Sequence, residues 1–151
     1  RCFAPFHRRY RTGSGNRCSG GSGLIHNPSM HTIILVDDDR TNTTLIQMLL
    51  EMDGFSVVAC PDIQKARLAA GNGADAFIID CNLAHGDDGI ELLKSIRIGS
   101  TEAEPDIPVI MTSGDDSRGS DAHLAGATRF LVKPYSPGTL SAHLSDLLDQ
   151  G

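Results

Sequence analysis

The feature that most constrains this chain is a fivefold alternation of two patterns. Short runs that are apolar at nearly every position recur at Thr32–Val36 (TIILV), Phe55–Ala59 (FSVVA), Ala74–Ile79 (ADAFII), Ile107–Thr112 (IPVIMT) and Thr128–Val132 (TRFLV). Between and after them lie segments whose apolar residues follow helical spacing. Thr41–Met52 carries Leu45, Ile46, Met48, Leu49, Leu50 and Met52, and Gly54 is its stop. Asp62–Ala70 has Asp62 as N-cap and Gly71 as C-terminal signal. Gly89–Ile98 carries Ile90, Leu92, Leu93 and Ile96, and Ser117–Ala125 is a helix weakened by Gly119. The last helix has Ser136 as N-cap, Pro137 in its first position, and Leu140, Leu144, Leu147 and Leu148 along it.

A strand that is apolar throughout has no face to offer water, so it belongs in a parallel sheet with helices on both sides. Five strands alternating with five helices imply a doubly wound, five-stranded α/β sandwich. Right-handed crossovers make the flavodoxin-like order 2-1-3-4-5 the expected one. About 120 residues suffice for one such domain, which is expected to span 31–150 and leaves no room for an output domain. The first 30 residues differ in kind: they are rich in Arg, Gly and Ser, lack a hydrophobic period, and are expected to be a disordered basic extension. Met30, immediately before the first strand, is the expected natural start. Residues 1–31 carry a formal charge of +5 and the remainder −11, which together make the net −6. An acidic body argues against a nucleic-acid surface and suits a site that concentrates divalent cations. No apolar run reaches the length of a membrane span, and a cytoplasmic location is expected. Cys2, Cys18, Cys60 and Cys81 have no metal-type spacing and read as reduced thiols.

Chemistry collects just past the strand ends, the edge where open α/β sheets bind ligands. Asp37, Asp38 and Asp39 follow the first strand and Asp80 the third. Thr112 and Ser113 close the fourth, and Lys133-Pro134 follows the fifth. In the expected order these strands converge on one pocket. Two carboxylates about 5 Å apart repel by roughly 3 kcal/mol at an effective dielectric near 20, so such a cluster calls for a hard dication. Mg²⁺ fits, because it takes one or two carboxylates together with phosphate oxygens and waters. A carboxylate nucleophile, a metal site, an ammonium and a hydroxyl form a set suited to phosphoryl transfer onto a carboxylate.

At these residues the chain resembles the receiver domains of response regulators. The resemblance lies in IILVDDDR, FIIDCNLAHGDDGIELL, IPVIMTSGDD and FLVKPYS and spans about residues 31–150. It implies that Asp37 and Asp38 organise Mg²⁺, that Asp80 accepts the phosphoryl group, and that the backbone carbonyl of Asn82 completes the metal site. It also implies that Ser113, preferred over Thr112 for its distance from Pro108, is the hydroxyl that turns onto the phosphoryl group. Lys133 is then the pairing cation, with a cis bond to Pro134, and Phe130 the aromatic switch. Asp39 is peripheral, while Asn82 and Asp115 occupy positions that tune phosphoryl lifetime. The implied donor is a histidine kinase or histidine phosphotransfer protein, and the implied output is a target protein binding the helix 4–strand 5–helix 5 face of a monomer or weak dimer. Such a domain is no enzyme beyond catalysing its own phosphorylation and dephosphorylation. The loop after Asp80 departs from the family by one extra residue before Gly89, and by Leu83-Ala84 where Met-Pro is frequent.

Three other readings compete, one of them a fragment of a hybrid kinase or of a regulator with an output domain. Asp37-x-Asp39-x-Thr41 also resembles the motif of haloacid-dehalogenase-type phosphatases, which would make Asp37 the nucleophile. A non-phosphorylated pseudo-receiver would be a pure interaction module. Among the remaining polar residues, Asp87-Asp88 and Asp115-Asp116 read as solvated surface and His85 as an exposed loop histidine.

Overall fold

The computed structural model describes residues 30–149. The expectations for the basic extension, and those for Cys2 and Cys18, lie outside the described residues. The elements run β1 (Thr32–Val36), α1 (Arg40–Met52), β2 (Ser56–Cys60), α2 (Ile63–Ala70), β3 (Ala76–Asp80), α3 (Gly89–Arg97), β4 (Val109–Ser113), α4 (Arg118–Leu124), β5 (Arg129–Val132) and α5 (Pro137–Asp149). All strand pairings are parallel, in the order β2-β1-β3-β4-β5. The doubly wound sheet and its order match the expectation.

Side chains alternate across each strand, and the alternation builds two cores. Ile34, Val36, Phe77, Ile79, Val109 and Met111 face α2, α3 and α4, where Ala66, Leu93, Ile96 and Ala122 are buried. Ile33, Leu35, Ile78 and Ile110 face α1 and α5, meeting Ile46, Leu50, Leu140 and Leu144. This double coverage is why the strands read as unbroken apolar runs. Among the described residues no helix is long and apolar enough to cross a membrane.

The helix ends follow their side chains. Asp39 Oδ1 accepts the N–H groups of Thr41 and Asn42 at 3.1 and 3.2 Å, so Asp39 is the N-cap of α1. Asp62 caps α2 through Lys65 N–H, as expected. Gly71 closes α2 in a right-handed conformation, and the left-handed turn falls two residues later, at Gly73. The loop after β3 contains a 3₁₀ turn at Ala84–Gly86 with His85 at φ 61°, which the sequence pattern did not show.

Candidate functional site

Four segments that are remote in sequence meet at the C-terminal rim of β1, β3, β4 and β5. Asp37 follows β1 directly and is 5% exposed, its main-chain N–H extending the β1–β2 ladder to Cys60 O. Asp80 is the last residue of β3, paired in register with Thr112, and is 8% exposed. Asp38 lies beside them, exposed. Carboxylate oxygens of Asp37, Asp38 and Asp80 all lie within 4.8 Å of one another. Three acids held this closely cost free energy unless cations offset them.

Lys133 supplies one such cation. It enters from the end of β5, and its Nζ donates to Asp80 Oδ2 at 2.8 Å and to Asp37 Oδ2 at 3.1 Å. Its bond to Pro134 is cis. Burial disfavours the ammonium, yet the Asp80 hydrogen bond and the charges of Asp37 and Asp80 outweigh it and push Lys133 up to about 12. The Asp80 carboxyl is raised from its ordinary value. Burial is the main cause, Asp37 adds to it, and hydrogen bonds from Lys133 and Asn82 oppose it. One ammonium therefore does not compensate the cluster.

The residues present fit a hard dication. Oxygens on one octahedral Mg²⁺ lie about 2.9 to 4.2 Å apart, given Mg–O distances of about 2.0 to 2.1 Å. The three carboxylates, with oxygens within 4.8 Å of one another, stand close to that range. The all-oxygen donor set is the one Mg²⁺ prefers, and Asp37 is already oriented. Its Oδ1 accepts Asp39 N–H at 3.0 Å and its Oδ2 accepts the Asn42 amide at 3.3 Å.

The other expected residues take distinct places. Asn82 lies at the mouth of the site. Its main-chain N–H donates to Asp80 Oδ1 at 3.1 Å, and its amide lies 3.5 Å from Ser113 Oγ. Ser113 is fully buried at the end of β4 and accepts Asp115 N–H at 3.1 Å. Thr112 points to the opposite face, where Tyr135 lies. Burial raises the Tyr135 phenol, and Lys133 and a hydrogen bond with Thr112 oppose the rise. The contact with Asn82 ties Ser113 to the site, whereas Thr112 hydrogen-bonds Tyr135. Phe130 is outside the carboxylate cluster, half-buried on β5 against α4.

Three contributions escaped the sequence reading. Asp88 is partly exposed but also engaged: its Oδ1 caps α3 through Ile90 N–H at 2.9 Å, and both its oxygens accept from Arg118 Nη2 at 2.9 Å. Gly89 is required because a Cβ there would lie 2.0 Å from the Asp80 carbonyl oxygen. Gly119, read only as a weak spot in a helix, is where the Phe130 ring packs, and a Cβ would sit 3.2 Å from two ring carbons. The Asp87-Asp88-Gly89 run before a helical pattern carried a readable N-cap signal, but the partners of Asp88 and Gly119 come from other segments.

A family model for the response regulator receiver domain matches residues 33–145. The chain is 33% identical over 124 residues to the transcriptional regulatory protein CpxR of Escherichia coli, covering 79% of this chain and 50% of that one. It is 32% identical over 120 residues to the phosphate regulon regulator PhoB of Pseudomonas aeruginosa, covering 78% and 51%. The chain thus spans about half the length of these relatives. Among solved structures, the chemotaxis protein CheY4 of Vibrio cholerae superposes with a TM-score of 0.71 at 27% identity, covering 80% of this chain and all of that one.

Proposed function

The chain belongs to the response regulator receiver family, the phosphoacceptor domains of two-component signalling, and on that premise we propose that Asp80 accepts a phosphoryl group from a phosphohistidine donor. The observation that carries this reading is the bridging of Asp80 and Asp37 by Lys133 Nζ within a three-carboxylate cluster. That arrangement pairs a nucleophile with the charges needed around a transferring phosphoryl group.

In this reading a histidine kinase or phosphotransfer protein presents phosphohistidine at the rim. An Asp80 carboxylate oxygen attacks phosphorus in line. The P–N bond breaks, and its electron pair stays on the imidazole nitrogen of the donor. Asp37, Asp38, Asp80 and the Asn82 main-chain carbonyl would hold Mg²⁺, which when bound supplies neutralisation of the charge on the transferring oxygens. Lys133 moves its hydrogen bonds from the carboxylates to a phosphoryl oxygen. Ser113 Oγ accepts two hydrogen bonds among the described residues and donates none, so its proton is available to the new group. As Ser113 shifts, Phe130 rotates toward the space it leaves, and the face formed by α4, β5 and α5 repacks for a target protein. The return step is hydrolysis of the acyl phosphate, whose rate Asn82 and Asp115 tune in this reading.

The test is labelling with acetyl phosphate and Mg²⁺ followed by peptide mapping. Label is expected on Asp80 and absent in Asp80→Asn. Label on Asp37, or undiminished label in Asp80→Asn, overturns the assignment.

A further inference from the structure

Arg118 has no part in the chemistry above, yet it stands at the edge of the same site. It is the first residue of α4, and its guanidinium reaches back across the rim to the loop after β3. Nη2 donates to both Asp88 oxygens at 2.9 Å, and Nη1 lies 3.4 Å from Asn82 Oδ1. Nε is buried with no acceptor. Asn82 in turn touches Asp80 Oδ1 through its main-chain N–H and Ser113 Oγ through its amide. One carboxamide therefore separates the guanidinium from the Ser113 hydroxyl. The charges of Arg118, Asp80, Asp88 and Lys133 all act on the Cys81 thiol between them, although burial is the main reason that thiol is pushed up to about 11.

Two features make this guanidinium more than a surface ion pair. A buried donor without an acceptor is destabilising, so the arrangement leaves Arg118 with unused binding capacity. A planar guanidinium matches the oxygens of a phosphoryl group as well as those of a carboxylate. We propose that Arg118 is a second cation of the phosphoryl site, held in reserve on Asp88 and drawn onto the phosphoryl oxygens when Asp80 carries them. The proposal rests on Asp80 being the acceptor. Because Arg118 begins α4, the exchange of partners also pulls directly on the helix whose face faces the target.

The reserve role makes the two partners of the ion pair act in opposite directions. Asp88→Asn removes the competing charge but keeps an oxygen to cap α3. The experiment is titration of BeF₃⁻, a phosphoryl mimic, in saturating Mg²⁺, followed by ¹⁹F NMR or calorimetry. Arg118→Gln is expected to weaken binding about tenfold or more, the range of one charge-assisted hydrogen bond, and Arg118→Lys to recover part of the loss. Asp88→Asn is expected to tighten binding several-fold, and to have no effect when Arg118 is already Gln. If both single variants tighten binding, the pair is a latch that opposes activation, and the proposal fails. It fails equally if both melt at lower temperature with BeF₃⁻ affinity unchanged, since the pair is then structural. If the wild-type protein takes up no BeF₃⁻, or Asp80→Asn takes it up undiminished, the acceptor assignment itself fails.

Discussion

The two rims of the sheet handle buried charge in opposite ways. At the N-terminal rim, Arg97 is surrounded by acceptors: its Nε donates to Gly126 O at 2.9 Å, and its Nη1 to Pro105 O and Ile107 O at 2.7 Å each. Its Nη2 reaches Thr128 Oγ1 at 3.4 Å. One cation thereby ties α3 to the connector before β4 and to the turn before β5. On the same rim, Asp75 Oδ2 accepts Thr32 N–H at 2.8 Å and lies 3.7 Å from His31 Nδ1. At the C-terminal rim, three carboxylates share one lysine. The first arrangement is satisfied by the protein alone, whereas in the second the Asp80 carboxyl stays above its ordinary value despite the lysine. The difference separates what holds this fold together from what it is used for.

Breaking the N-terminal arrangement should cost the most. Arg97→Ala removes several hydrogen bonds from a charged donor and leaves the carbonyl of buried Ile107 without this partner, so a loss on the order of 3 kcal/mol is expected in urea unfolding. Mg²⁺ affinity should stay unchanged in the same variant. A shift in Mg²⁺ affinity comparable to the stability loss would show that the two rims are not separate in function.

Removing the cation at the other rim should cost less and in a pH-dependent way. The rise of Lys133 from 10.5 to about 12 corresponds to about 2 kcal/mol of preference for the charged form in the folded state. Because the folded value lies above the unfolded one, that contribution is complete below pH 10.5 and is lost as pH climbs through about 12. In metal-free protein, Lys133→Met should therefore be less stable than the parent at neutral pH, with the gap closing above that window. A gap that persists unchanged at the alkaline end would place the effect in packing instead.

The smallest effect should have the opposite sign. Burial raises the Asp80 carboxyl above 3.8, so the folded state favours its protonated form. The ionised group is then a cost that appears as pH rises through its folded value and vanishes below 3.8. In metal-free protein, Asp80→Asn should raise the unfolding midpoint slightly at neutral pH and lose that advantage in acid. A lower midpoint at neutral pH would mean that the Lys133–Asp80 contact outweighs burial, and would erase the contrast between the rims.

How far the chain could be read without coordinates differs in the same way between local and distant features. β1 was legible to the residue, because TIILV is bounded by a polar neighbour on each side. β4 was expected from Ile107 but pairs only from Val109. Ile107 is buried ahead of the ladder, and Pro108 has no N–H to contribute, although its carbonyl accepts Phe77 N–H. β3 and β4 each run one residue further than their apolar runs, because Asp80 and Ser113 are polar yet still paired. Apolarity reports burial, and Asp80 and Ser113, like Asp37, are buried although polar. Arg97 and Arg118 were not legible at all: their acceptors lie in other segments, and nothing local to an arginine announces them.

The sequence by itself determined the layer architecture, the strand order and the set of residues delivered to the C-terminal rim. Those follow from periodicity and chain handedness, which act over a few residues at a time. Only the tertiary structure decided which of several acids share one lysine, that Asp88 holds Arg118, and that Phe130 rests on a glycine. These depend on distances of a few ångströms between segments tens of residues apart, and electrostatic and contact energies change steeply over that range.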